Sequence, residues 1–133
     1  MHCIFVDTNV FMRFLLWDVP SQSEEAEMLF QKAAALKTKL VTTDLIIAEL
    51  VWTLESYYQK SKKEIASLIG AILETPGLTI NSADVIQDAL ASYVEKNVDF
   101  VVAFSAAYMN KHGISIAKSF DKHFKRFPDI ELV

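Results

Sequence analysis

A chain of 133 residues, 52% hydrophobic and 23% charged with only 3 Gly and 3 Pro, has the composition of one globular domain and excludes a disordered or low-complexity polymer. Its net charge of −4 and pI of about 5.3 exclude the overall basic character usual in nucleic-acid binders, so any contact with a polyanion must use a local basic patch, metal ions or both. Cys3 is the only cysteine, which excludes an intrachain disulfide and fits a reducing compartment. The opening MHCIFVD lacks a basic segment followed by a long apolar stretch, and the two most apolar runs are short and contain Glu49 and Asp99. The expectation is a cytoplasmic domain over residues 1–133 that does not enter a membrane.

Taken in chain order, residues 2–6 (HCIFV) read as a short buried strand. Asp7, Thr8 and Asn9 lead into a helix over VFMRFLLW that ends near Asp18-Val19-Pro20. Ser21 and Glu24 have the spacing of a capping box and open a second helix to about Leu36. Leu40-Val41-Thr42 is a strand, and Thr43 or Asp44 caps a helix from Leu45 to about Tyr58. Ser61-Lys62-Lys63-Glu64 is a second capping box, and its helix stops at Pro76-Gly77. Leu78 to Ile80 is a strand. Ser82 caps a helix over 83–96, and another runs from Val98 to about Lys111, with Gly113 behind it and His112 read as a helix-end residue. Ile114 to Lys118 is a strand, Asp121 to Arg126 a short helix, and Ile130 to Val133 an edge strand.

Strands alternate with helices and no hairpin signal occurs. That order implies a three-layer α/β/α sandwich with a central parallel sheet, Rossmann-like in outline. Ligands of such sheets bind beyond the carboxyl ends of the strands. Asp7 and Asp121 both follow strands and fall on that edge.

Most of the 17 acidic residues sit in polar company. Asp7 in CIFVDTNVF, Glu49 in LIIAELVW and Asp99 in VDFVVAF are embedded in apolar sequence, and Asp121 follows a core strand. A buried lone carboxylate costs several kcal/mol unless paired, protonated or metal-bound. Convergence on a hard divalent cation would answer that cost, and Mg²⁺ or Mn²⁺ with oxygen ligands suits phosphoryl chemistry. Each acid also has a plainer reading. Asp7 and Asp99 can cap helices, Asp121 can be a turn residue, and Glu49 can lie on a solvated stripe.

FVDTNVFMRFLLWDVPSQ, IAELVWTLESYY and SFDKHFKRF together resemble the PIN-domain ribonucleases, above all the VapC-type toxins of toxin–antitoxin pairs. The resemblance covers nearly the whole chain. It implies the same parallel-sheet fold, an acidic site that binds Mg²⁺ or Mn²⁺, and cleavage of RNA. Residue by residue, it assigns Asp7, Glu49, Asp99 and Asp121 to the acidic set, with Asp7 and Asp99 as metal ligands. Asn9 and Ser119 match polar positions beside the site. A cognate antitoxin and a second copy of the chain are the implied partners, besides RNA.

Two departures stand out. Relatives often carry an acid where this chain has Val102, and Asp99 lies three residues earlier, about one helical turn away. Relatives also often carry Asp where this chain has His123. Both allow a rival reading, a degenerate domain that binds RNA or a partner without cutting. A phosphatase using a nucleophilic Asp after the first strand is disfavoured, because Asn9 stands where its general acid belongs. RNA would meet Lys118, Lys122, Lys125 and Arg126, with Arg13 from the first helix; solubilising charge is the equal alternative. Trp52, at helical spacing from Glu49, reads as core, and no aromatic residue is assigned to base stacking.

Overall fold

The computed structural model describes residues 2–133 and divides into two compact units, residues 1–83 and 84–133. It is a mixed α/β fold with parallel sheets flanked by helices, which is the expected class.

In the first unit, β1 (His2–Phe5), β2 (Thr38–Thr42) and β3 (Leu78–Ile80) form a sheet of order β1-β2-β3 with every pairing parallel. Helices α1 (Thr8–Leu16) and α2 (Pro20–Ala34) connect β1 to β2, and α3 (Asp44–Ser56) and α4 (Lys62–Leu73) connect β2 to β3. Parallel neighbours need such crossovers. Phe11, Leu40, Ile47, Leu50, Leu54 and Ile65 are all fully buried, and the Phe14 and Phe30 rings meet at 4.6 Å between α1 and α2.

Two threonine hydroxyls fix β1 onto β2. Thr38 Oγ1 donates to the His2 carbonyl at 3.0 Å, and Thr42 Oγ1 donates to the Val6 carbonyl at 2.8 Å. Val6 N–H also donates to the Val41 carbonyl. The chain is thus held at the residue before Asp7. The expectation of a buried first strand is corrected: His2 to Phe5 are all exposed, and only Val6 is buried. β1 stands first in the strand order of its sheet, paired with β2.

The helix starts divide in an instructive way. The Ser61–Glu64 capping box forms in full, with Ser61 Oγ accepting from Glu64 N–H and Glu64 Oε1 accepting from Ser61 N–H. The box expected at Ser21 and Glu24 does not form. Val19 occupies the cap, and Pro20 takes the first helical turn, where its missing N–H costs nothing. Ser61→Ala is expected to lower stability by about 1 kcal/mol in urea unfolding near neutral pH. Ser61's hydroxyl and N–H hold the Glu64 carboxyl below its usual range. A depressed carboxylate stabilises above its unfolded pKa, and that stabilisation fades as pH falls through the folded value. The Ser61→Ala deficit should therefore shrink in acid.

The second unit contains α5 (Ala83–Glu95), α6 (Phe100–Lys111), a parallel pair β4 (Ile116–Ala117) and β5 (Glu131–Leu132), and a 3-10 helix over Lys122–Arg126. Lys111 pairs with Asp84 at 2.8 Å, tying the end of α6 to the start of α5. The Arg126 guanidinium donates to the carbonyls of Lys96 and Asn97, the open end of α5. Arg126 thereby satisfies helix-end acceptors.

Among the described residues, five other than glycine hold a left-handed backbone: Trp17, Leu36, Gln59, Ser82 and Asn97. Each stands next to or just beyond a helix end. Ser82, expected to cap the helix over 83–96, is one of them, with φ of 59°.

Candidate active site

Asp7 occupies the N-cap position of α1 with extended backbone, yet its side chain makes no capping hydrogen bond. Its carboxylate is exposed and has no hydrogen-bond or ion-pair partner among the described residues. The cap reading of Asp7 therefore does not account for the carboxylate. Glu49 projects from α3 and is also exposed, although Ile47, Leu50 and Val51 beside it are buried. Asp7 and Glu49 line one cavity of about 350 Å³, with Asn9, Arg13 and Tyr58 on its walls. The first unit thus brings together two of the four acids, Asp7 and Glu49, with Asn9 and Arg13 from the expected substrate-facing residues.

Thr8 lines the same cavity. Its side chain is 7% exposed, and Oγ1 is buried with no hydrogen-bond partner among the described residues. Buried hydroxyls normally find partners, and an orphan costs about 1–3 kcal/mol. Thr8→Val, which keeps the shape and removes the orphan, should raise the thermal midpoint; an unchanged or lower midpoint would show that the hydroxyl is satisfied.

Asp99 and Asp121 belong to the second unit, and each caps its own helix. Asp99 Oδ1 accepts from Val102 N–H at 2.8 Å at the start of α6. Asp99 thus precedes the helix and is exposed, while the Val102 side chain is buried. The two do not share a helical face, contrary to the spacing argument. Asp121 Oδ1 accepts from His123 N–H at 2.9 Å and lies 2.7 Å from His123 Nδ1. His123's N–H and ring hold the Asp121 carboxyl below its usual range. Ser119 Oγ accepts from Asp121 N–H, so Ser119 shapes the same turn. Lys122 is exposed, and Lys118 lies over the Phe120 ring at 5.0 Å.

None of the four acids is buried, so the expected desolvation cost does not arise at any of them. Asp7, Glu49 and Asp99 are exposed and Asp121 is half-buried. Local hydrophobicity marked apolar elements in which one residue turns outward, at helix starts for Asp7 and Asp99 and in the middle of α3 for Glu49. Trp52, expected in the core, is 68% exposed on α3.

Arg13 is not a free cation. Its Nη1 donates to Asp18 Oδ1 at 2.5 Å, and the Tyr58 hydroxyl donates to Asp18 Oδ2 at 3.1 Å. Arg13's hydrogen bond depresses the Asp18 pKa and Asp18 raises that of Arg13; partial burial, then Asp18, pushes the Tyr58 hydroxyl up. Sequence reading missed Thr8, Asp18 and Tyr58. The aromatic pair Tyr57-Tyr58 after an acid-bearing helix was the one available signal for Tyr58.

The carboxylates and the orphaned hydroxyl are hard oxygen donors. Mg²⁺ commonly binds through one or two carboxylates and retains waters, so Asp7 and Glu49 suit it chemically. Among the described residues no group of three or more His, Cys, Asp or Glu forms a metal-binding cluster. A larger cavity, about 600 Å³ in the second unit, is lined by Lys96, Asn110 and Phe127 and by none of the predicted site residues.

The family described as PIN domain matches residues 4–130, and the chain belongs to that family. It is 26% identical over 121 residues to a protein named VapC ribonuclease from Aquifex aeolicus (strain VF5), covering 91% of this chain and 89% of that protein. Among solved structures it is similar to Mycobacterium tuberculosis VapC20, described as a Sarcin-Ricin loop cleaving toxin, at 23% identity and a TM-score of 0.43, with 92% of each chain covered. A second is VapBC2 from Rickettsia felis bound to a DNA fragment from their promoter, at 16% identity and a TM-score of 0.39, covering 100% of this chain and 98% of that one. No described helix is long and apolar enough to cross a membrane.

Proposed function

We propose that this chain is a VapC-type ribonuclease, the toxin of a toxin–antitoxin pair, that hydrolyses RNA phosphodiester bonds with Mg²⁺ or Mn²⁺. The carrying observation is the Asp7 carboxylate, placed at a helix start without capping it and sharing a cavity with Glu49. Membership of the PIN domain family and the likeness to a VapC ribonuclease support the same reading.

Asp7 would hold the cation, and Glu49 would orient water and accept its proton. When bound, the ion supplies positive charge for the phosphoryl oxygens and acidifies water. Asn9 and Arg13 face the substrate from α1. Asp99, as a second metal ligand, and Asp121, as a further acid, are assigned by the family resemblance. Ser119 is assigned to the site by the family resemblance, and Lys122 and Arg126 to RNA binding on the sequence pattern. RNA, a second copy of the chain and an antitoxin are the partners of this reading, and the cytoplasm its compartment.

The rival is a degenerate domain that binds RNA without cutting it. It is favoured by Asp99 and Asp121 each engaging an oxygen in local capping. The test is incubation of the purified protein with structured RNA and Mg²⁺ or Mn²⁺, beside EDTA and Asp99→Asn. The expected result is cutting that EDTA abolishes and Asp99→Asn reduces. Cutting that survives EDTA would refute the metal mechanism. RNA bound but never cut would establish the rival.

A further inference from the structure

We propose that Asp18 and Tyr58 form a clamp that fixes the Arg13 guanidinium on the wall between two adjoining cavities, where it receives a phosphate of the bound RNA. The inference rests on the ribonuclease reading above and adds two positioning residues to it.

The first cavity contains Asp7 and Glu49. The second, about 460 Å³, lies between α1 and α2 and includes Gln22 and Glu25. Asn9 and Arg13 line both. Each volume falls in the range of small-ligand pockets. A polymer running from one to the other must cross the Asn9–Arg13 wall, and its backbone carries a phosphate at every step. Among the described residues Arg13 is the one cationic side chain lining either cavity, and the acids around it repel phosphate. Where that guanidinium points therefore decides whether the anion can enter.

The structure fixes it at both ends. Ser23 Oγ, fully buried, donates to the Arg13 carbonyl at 2.7 Å and holds its backbone. Asp18 holds the guanidinium, and Tyr58, arriving from beyond the end of α3, holds Asp18. A guanidinium has five N–H donors, so Asp18 leaves donors for a phosphate. An arginine ordered beforehand loses less side-chain freedom on binding.

A simpler account has Asp18 merely neutralising Arg13. The two accounts differ in sign. If Asp18 only cancels charge, its removal strengthens binding to a polyanion; if it positions Arg13, removal weakens binding.

The experiment measures anisotropy of a fluorescein-labelled, unstructured RNA of about 12 nucleotides on an Asp7→Asn background, and KM and kcat on the otherwise native chain. Asp18→Ala and Tyr58→Phe should each weaken RNA binding, Asp18→Ala by about tenfold, with KM raised and kcat nearly unchanged. Adding Asp18→Ala to Arg13→Ala should cost nothing further, because both act through one guanidinium. Tyr58→Phe removes a single oxygen and keeps the ring, and circular dichroism verifies folding of each variant. Unchanged or tighter binding in Asp18→Ala and Tyr58→Phe, or losses that add to Arg13→Ala, would overturn the clamp alone. Absence of both RNA binding and cutting in the native chain would overturn the ribonuclease reading, and the clamp with it.

Discussion

Asp7→Asn will lower kcat for RNA cleavage by about a thousandfold or more, about 4 kcal/mol of transition-state stabilisation, and leave the unfolding midpoint close to that of the native chain. The activity loss follows from removing the negative charge that holds a divalent cation. Retained stability follows from what Asp7 does not do. It sits at the N-cap of α1, but no capping bond would be lost, and Asn is as good a cap residue as Asp. Asp99→Asn and Asp121→Asn lack that separation, because each weakens a charge-assisted bond to a helix start. Steady-state kinetics and urea unfolding on the same preparations make the test. Activity within tenfold of native would remove Asp7 from the machinery.

Gly77→Ala should be the most damaging small substitution in the first unit, with a loss of about 3 kcal/mol or more in urea unfolding. Gly77 has φ of +78°, a conformation that disfavours any Cβ. A Cβ there would lie 2.7 Å from the Ala33 carbonyl oxygen and 2.9 Å from Ala33 Cβ. The oxygen is backbone at the end of α2 and cannot swing away. The Gly77 carbonyl also accepts from Leu40 N–H, so a shift would disturb the entry of β3 beside β2. Gly70 provides the control. It lies inside α4 with nothing within 4 Å of an added Cβ, and Gly70→Ala should stabilise by about 0.5–1 kcal/mol. Equal effects at the two glycines would contradict this account.

The order of elements was legible because helix and strand periods, caps and breakers are local signals. β3 matches its expected bounds, and the Ser61–Glu64 box forms as its spacing suggests. The Ser21–Glu24 spacing was as good, but Pro20 moved the cap two residues earlier, to Val19, and the pattern could not rank the two signals. Exposure was the least legible property. α3 carries apolar residues on all sides, so nothing in its sequence says that Glu49 and Trp52 face outward while Leu50 and Val51 do not. The acids were found for a partly mistaken reason: apolar neighbours suggested buried charge, and the structure turns these side chains outward, Asp7 and Asp99 at helix starts and Glu49 within α3. The Asp18–Tyr58 contact was out of reach, since its partners are 40 residues apart and neither residue type is unusual where it stands.

The left-handed residues at the helix ends have an evolutionary consequence. Leu36 adopts φ of 60° while 72% exposed, and Trp17, Gln59, Ser82 and Asn97 turn the chain in the same way. Such a backbone costs a residue bearing a side chain about 1–2 kcal/mol. Strain sits at these corners, while the interior of the first unit is filled with buried Leu, Ile and Phe. A laboratory search for hardier descendants of this chain should accumulate its first changes at Trp17, Leu36, Gln59 and Ser82, where glycine or asparagine relaxes the backbone without altering the cavity walls on α1 and α3.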